Sequence, residues 1–402
     1  MHSRTKHLAA GLLVAGVILP ALAPAQSLEG RFYPEKPRYL LGEPFFIELE
    51  VKNTGSKPVS IDSRLGVPCI QRDPIEVAGA KHQGFGWDTT LGCYGGIAGS
   101  CASGMIELKP GEKYIERIFL NGLYALDHTG VYEVHARRRV PVYPQGVWTP
   151  QSSDNREFSS DFQITLVTGT EDDLKAAFAP YVQAATGPFT KDQWQAIAAI
   201  NSMGPPFLEE LILKWADTLG RSNPAALARL NTPRARQKLM ELAEHSPQGY
   251  IRQEAIQALA KTRDRSYLPV LVRVAETSKD GNREMAIWRT GLFGADAVPF
   301  LAKMLRDPDA NARVAAARGL GITASRSAVT ALIEALRDPD VQVFMNVCES
   351  LAELTHHSIT SPPRATTPSE AAWRRWHDWW VRNGLAAPIY TTDNCVQPRP
   401  LD

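Results

Sequence analysis

A self-repeat of 30 to 31 residues constrains this chain more than any other feature. Leu268-Pro269-Val270-Leu271, Val298-Pro299-Phe300-Leu301 and Val329-Thr330-Ala331-Leu332 recur at that spacing, and Leu305-Arg306-Asp307-Pro308-Asp309 returns as Leu336-Arg337-Asp338-Pro339-Asp340. Each apolar block is followed by a small-residue stretch of helical periodicity: Ile251 to Leu259, Arg283 to Leu292, Arg313 to Leu320 and Val343 to Leu351. A period near 30 with helical apolar spacing implies stacked helix pairs, none of which buries its apolar face without its neighbours. The first helix of a unit opens with Pro in its first turn, where a missing N–H costs nothing. It ends at Asp-Pro-Asp, where Pro stops the helix and Asp caps the next.

These blocks, above all Ala316-Ala317-Arg318-Gly319-Leu320-Gly321 followed by Ala328-Val329, resemble HEAT-like repeats of the short-period subclass also seen in phycobilin lyases. Four units are legible from Pro233 to Leu354, and Leu174 to Leu230 supplies one or two degenerate ones. The resemblance implies an all-α solenoid over residues 170–358 that presents an extended surface to other proteins. It does not imply the chemistry of the enzymes built on this scaffold. Phycobilin lyases are intracellular, and deoxyhypusine hydroxylases use His-Glu pairs, a dipeptide this sequence lacks.

Upstream, over residues 26–169, the periodicity changes to two. Phe45 to Val51, Tyr114 to Leu120, Val131 to Ala136 and Phe162 to Val167 alternate as half-buried strands between turn signals. Leu41-Gly42-Glu43-Pro44, Asn53-Thr54-Gly55, Leu108-Lys109-Pro110-Gly111-Glu112 and Tyr132 resemble the immunoglobulin-like domains of exported bacterial proteins. The expected fold class is therefore an N-terminal antiparallel immunoglobulin-like β-sandwich followed by a HEAT-like solenoid. Residues 359–402 form a linker, a Trp-bearing capping helix and a tail with one cysteine.

Residues 1–25 have the layout of a signal peptide: Arg4 and Lys6, an apolar run from Leu8 to Leu19, and Ala23 and Ala25 before Gln26. The run is shorter than the roughly 20 residues a bilayer span needs, so cleavage leaves no stable membrane anchor. The expected location is exported, periplasmic or secreted. In an oxidising compartment Cys69, Cys93, Cys101 and Cys395 are disulfide candidates, with pairing undetermined, and Cys348 is left reduced inside a repeat. With Lys and Arg at 44 against Asp and Glu at 43, the chain carries no charge excess that would draw it to nucleic acid.

Three places offer binding residues. The stretch from Ser63 to Gly104 is too long for an ordinary connection and carries Trp87 and Tyr94, which either contact a ligand or cover the sandwich end. Gln257, Arg318 and Glu349 align two residues before the repeat Leu and face a shared groove. Trp373, Trp376, Trp379 and Trp380 share one helical face, either as a platform for sugar or peptide or as the cap that a solenoid end requires. Arg252, Arg283 and Arg313 stand early in successive second helices. They form either a structural ladder with turn aspartates, such as Asp309 or Asp340 with Arg313, or an anion-binding stripe.

No His-Glu-x-x-His, Gly-x-Ser-x-Gly, P-loop or dinucleotide fingerprint occurs, so no catalytic residue, metal ligand or cofactor is assigned. The expectation is a non-catalytic adaptor or scaffold of the cell envelope that holds a protein partner with the solenoid surface and with the Ser63 to Gly104 stretch, a disulfide-pinned loop. A glycan or peptidoglycan binder and an enzyme regulator or unrecognised enzyme are the alternatives.

Overall fold

The computed structural model describes residues 28–62, 75–82, 105–144, 154–188, 190, 192–218, 222–357, 370–391 and 399–400. The four disulfide candidates, Trp87, Tyr94 and residues 1–25 lie outside them. In chain order the strands of the N-terminal region are β1 (Leu28–Pro34), β2 (Arg38–Leu40), β3 (Phe46–Asn53), β4 (Val59–Asp62), β5 (Ile75–Val77), β6 (Lys81–His82), β7 (Met105–Leu108), β8 (Lys113–Phe119), β9 (Tyr124–Ala125), β10 (Gly130–Pro144) and β11 (Asp154–Val167). One sheet has the order β1-β3-β8; the other runs β2-β11-β10-β4-β7, with β5 also paired to β10.

Alternation decides which side chains enter the core. Leu49 and Val51 of β3 point inward and are fully buried, as are Ile61 of β4, Val134 of β10 and Ile164 of β11, so the two sheets close on one apolar core. The turns at Asn53 and Lys109 are tied together by the buried Asn53 side chain. Its amide donates to the carbonyls of Lys57 and Leu108, both at 2.8 Å, and its oxygen accepts from the Gly55 N–H. The expected antiparallel arrangement has one departure, because β2 runs parallel to β11. Pro34 and Pro37 bracket the break between β1 and β2. Proline cannot donate to a ladder, so the chain leaves the first sheet there and joins the edge of the second.

From residue 171 the fold is helical: α1 (Glu171–Thr186), α2 (Gln193–Met203), α3 (Glu209–Trp215), α4 (Pro224–Leu230), α5 (Pro233–His245), α6 (Gly249–Thr262), α7 (Leu268–Thr277), α8 (Gly281–Thr290), α9 (Val298–Met304), α10 (Ala310–Gly321), α11 (Arg326–Ala335), α12 (Val341–Thr355) and α13 (Glu370–Asn383). Thr170 and Asp173 form a capping box that starts α1. Asp280, Asp309 and Asp340 cap α8, α10 and α12 by accepting the N–H groups of Asn282, Asn311 and Gln342. The second helices of successive pairs, α6, α8, α10 and α12, pack directly on one another and form the inner layer. Missing side chains allow it: a Cβ on Gly291 would stand 2.1 Å from the Gly319 carbonyl oxygen, and one on Gly321 would stand 2.7 Å from Ser350 Oγ.

The sheet region and the first helix pair meet through a small apolar patch, with Phe46, Phe119 and Ala199 buried against Tyr181 and Met203. At the other end α13 lies on α11 and ends the stack. Trp376 is only 1% exposed, and Trp379 stacks on His357 at 4.1 Å. Arg337 lies 3.5 Å from the Trp373 ring centroid and makes a bidentate pair with Glu370, while Trp380 donates to Thr330 Oγ1. The four indoles are thus engaged by the last helix pair. Among the described residues no helix is long and apolar enough to cross a membrane.

Candidate functional site

The inner layer holds the most developed surface feature of the helical region. Gln257 on α6, Trp288 on α8, Arg318 on α10 and Glu349 on α12 occupy one register position, 30 or 31 residues apart. Of the three residues expected here, Gln257 is 7% exposed and contributes little surface. Arg318 is half-buried and Glu349 exposed, and Glu349 acts on Arg318 electrostatically. Burial lowers the Arg318 pKa from the usual guanidinium value. Its guanidinium carbon lies 4.1 Å from the Trp288 ring centroid, and that of Arg289 lies at 4.0 Å, so two cations share one indole.

Trp288 is not among the residues expected from the sequence. Its signal there is the register alone, one period after Gln257 and one period before Arg318.

Beside Trp288 a groove of about 580 Å3 opens between α8 and α10. Met285, Trp288, Val314 and Ala315 supply its apolar surface; Lys279, Asp280, Glu284 and Arg318 supply charge. Gly281 and Asn311 complete the lining, and a Cβ at Gly281 would meet nothing within 4 Å. Asp280 is already occupied, receiving Arg252 on one oxygen and the Asn282 backbone and side-chain amides on the other. Glu284 differs, since its Oε2 is shielded from solvent and has no hydrogen-bond partner.

The early arginines of the second helices form a ladder. Arg252 pairs with Asp280, Arg283 with Asp307 at 2.6 Å, and Arg313 with Asp338 through two bonds of 2.7 and 3.1 Å. The partner of Arg313 is therefore neither Asp309 nor Asp340. Those two aspartates point their carboxylates at helix N-termini, and Asp338, at the end of the next unit's first helix, is the one within reach.

A second recess of about 320 Å3 lies where the sheet region meets α1 and α2, lined by residues that include Glu35, Lys36, Glu43, Arg117, Tyr181 and Asp192. Glu35 pairs with Arg117 and Lys36 with Glu43. Arg117 also donates to Gln195 and lies 4.3 Å from the Phe46 ring centroid. Burial, with Glu35 nearby, pushes the Tyr181 hydroxyl up to about 12. The ionisable groups converge as ion pairs within the sheet region, and the Arg117–Gln195 hydrogen bond carries the contact across to α2.

Cys348 is a free, half-buried thiol whose pKa burial, aided by Glu349, pushes up to about 11, which keeps it in the unreactive thiol form. Among the described residues no group of three His, Cys, Asp or Glu side chains is placed to hold a metal ion.

Comparison with known proteins agrees with the stacked pairs. Residues 224–291 and 298–387 match the family model for HEAT repeats. Two engineered proteins of known structure are similar to part of this chain. One is 19% identical over 54% of this chain and 70% of its own, with a TM-score of 0.30; the other is 22% identical over 46% of this chain and 92% of its own, with a TM-score of 0.27. A Salmonella alpha-2-macroglobulin mutant is 12% identical over 80% of this chain and 26% of its own, with a TM-score of 0.18. Superpositions this loose do not align a site. Among curated proteins, no sequence matches this chain. The family match and the paired-helix stack make the C-terminal region a HEAT-repeat solenoid, a scaffold class suited to protein interaction.

Proposed function

We propose that this chain is a non-catalytic protein-binding adaptor or scaffold of the cell envelope, with an immunoglobulin-like N-terminal domain fixed to a HEAT-repeat solenoid. The observation that carries the reading is the open groove at Gly281 on the inner layer. The groove combines an apolar floor with charged walls, the composition of an interface rather than of a bare solvated face. The cell-envelope location draws on the signal-peptide layout of residues 1–25, and the disulfide-pinned loop draws on Cys69, Cys93 and Cys101.

The test is a cross-linked pull-down from envelope extract with the full mature chain beside a Gln342→Lys, Glu349→Lys variant, which changes two exposed inner-face positions. A protein captured by the first and lost from the second supports the adaptor. Equal capture by both removes the inner layer from the reading, and capture of glycan alone moves the weight to Trp87 and Tyr94. The Trp helix lends a glycan reading no support, because its rings are engaged by Arg337, Thr330 and His357.

A further inference from the structure

We propose that the chain bends at the boundary between α2 and α4. The sheet region with α1 and α2 forms one body, α3 to α13 form the other, and Gly204 is the pivot between them. Such a joint changes the angle between the sheet region and the inner layer, and it stands whether or not the inner layer binds a protein.

The links between elements are unevenly distributed. Phe46 of β3 stacks on Tyr181 of α1 with ring centroids 5.9 Å apart, and Arg117 of β8 exchanges two hydrogen bonds with Gln195 of α2, so the first helix pair is fixed to the sheets. On the other side α3 is tied to α5 and its cap. Arg234 pairs with Glu210, Thr232 Oγ1 donates to Glu209, and Lys238 pairs at 2.7 Å with Asp217, just beyond α3. Farther on, α6 to α12 are locked by the Arg–Asp ladder, by the close approach of Gly291 to Gly319, and by the Ser350 hydroxyl, which donates to the Ala317 carbonyl. Among successive second helices, α2 and α4 make the shallowest contact. The ladder has no rung there, because α2 carries no arginine and Asp217, which stands where Asp307 and Asp338 stand in later units, is taken by Lys238. Instead, Arg229 of α4 donates to the Asn201 carbonyl at 2.8 Å, and Phe178 of α1 meets Phe207 edge to face at 5.6 Å. Contacts of this kind tolerate a change of angle that interlocked backbones do not.

Gly204 ends α2 in the left-handed region, at φ +53°. At or just beyond the ends of α4, α6, α10 and α12 the positive-φ residues are Asn231, Arg263, Ala324 and His356, whose side chains restrict the backbone, whereas glycine leaves that conformation at little cost. Gly294 also has a positive φ, but it follows α8, which Gly291 and Gly319 hold against α10. At Gly204 the two bodies touch without interlocking: a Cβ there would stand 3.6 Å from the Ala226 carbonyl oxygen, an ordinary contact distance. A joint at the end of one element, where few residues absorb the backbone change, is the geometry of a hinge.

The same closeness supplies the test. A Cβ at Gly204 stands 3.6 Å from Arg229 Cβ, within the about 3.5–4.5 Å that a disulfide spans. In a Gly204→Cys, Arg229→Cys variant of the full chain, oxidation locks the joint and reduction frees it; the unaltered chain, treated in the same way, is the control. Hinge motions are fast, so distances are read in frozen samples by double electron–electron resonance between spin labels on non-canonical amino acids. Ser159 on β11 and Lys303 on α9 report across the joint, and Glu241 on α5 with Lys303 reports within the second body. The expected result is a broad Ser159–Lys303 distribution that narrows by about twofold or more only when the variant is oxidised. The Glu241–Lys303 distribution is narrow throughout. Gly204→Asn, which places at the pivot the residue type that ends α4, narrows the first distribution without a cross-link and so does not depend on the disulfide forming. A Ser159–Lys303 distribution as narrow in the reduced variant as in the oxidised one overturns the proposal. So does breadth that survives the disulfide, which places the motion where the sheets meet α1 and α2, and so does breadth between Glu241 and Lys303, which places it inside the stack. Breadth that Gly204→Asn leaves unchanged removes Gly204 as the pivot.

Discussion

The guanidinium of Arg138 meets the carboxylate of Glu116 across the core of the sheet region at 3.1 Å, with their side chains 2% and 8% exposed. Arg138 comes from β10 and Glu116 from β8, so the pair joins the two sheets. Neither charge is well solvated, and each is tolerated because the other is there.

Removing one member should therefore cost far more than removing both. Glu116→Leu or Arg138→Met alone is expected to destabilise the chain by about 3–5 kcal/mol, and the double variant to recover most of that loss. Urea denaturation of the three variants checks it. Additive losses would show that the two side chains act independently.

The close approach of the inner helices predicts an order among glycine substitutions. Gly291→Ala places a Cβ 2.1 Å from a backbone oxygen, whereas the first atom met at Gly319 is Leu301 Cδ2, at 2.8 Å, which can rotate away. Gly291→Ala should cost about 3 kcal/mol or more and Gly319→Ala about 1–2 kcal/mol, while Gly281→Ala stays within about 0.5 kcal/mol of the unaltered chain. Thermal melts of the three variants, ranked against one another, decide it.

Glu353 on α12 sets a pH dependence. Burial pushes its carboxyl from 4.5 up to about 7. Below 4.5 the group is neutral in the folded and the unfolded chain. Between 4.5 and about 7 it stays neutral only when folded, and at higher pH a charge must be accommodated inside. The folded state's advantage is thus complete at acid pH and lost as pH rises through 7. The loss is about 1–2 kcal/mol once partial exposure is discounted. Denaturation midpoints at pH 5 and pH 8 should converge in Glu353→Gln relative to the unaltered chain; an unchanged difference would assign the pH dependence to other groups.

The end of the stack depends on one indole more than on the others. Trp376 is enclosed by the last helix pair, His357 and Trp379, and Trp376→Ala is expected to cost about 3–5 kcal/mol. Trp380 is partly exposed, with a single 3.3 Å hydrogen bond to Thr330, and Trp380→Ala should cost about 1–2 kcal/mol. Hydrogen exchange of α12 and α13 would also report the difference, because loss of Trp376 should unprotect both helices together.

Much of the helical architecture was legible in the sequence. The 30- to 31-residue period, the prolines of the first helices and the Asp residues that cap α10 and α12 are local signals, and each has a local physical cause. The partners of Arg283 and Arg313 were less legible, because several aspartates lie within one turn of each other and only the stacking angle decides which carboxylate is in range. Trp288 was visible at the register of Gln257 and Arg318, but nothing local says that its ring supports two guanidinium groups.

The groove is a different case. Gly281 appears in the sequence as an ordinary helix-start glycine, and that it lines a groove is decided only when α10 stands opposite and supplies Asn311, Val314, Ala315 and Arg318. Periodicity and capping are properties of neighbouring residues along the chain, so the amino-acid order by itself determined the repeat, its helix boundaries and the change from sheet to helix near residue 170. Partner choice, the parallel joining of β2 to β11, the buried Arg138–Glu116 pair and the groove required the tertiary structure. Each depends on distances between elements far apart in sequence, and those distances are set by how whole helices and sheets pack.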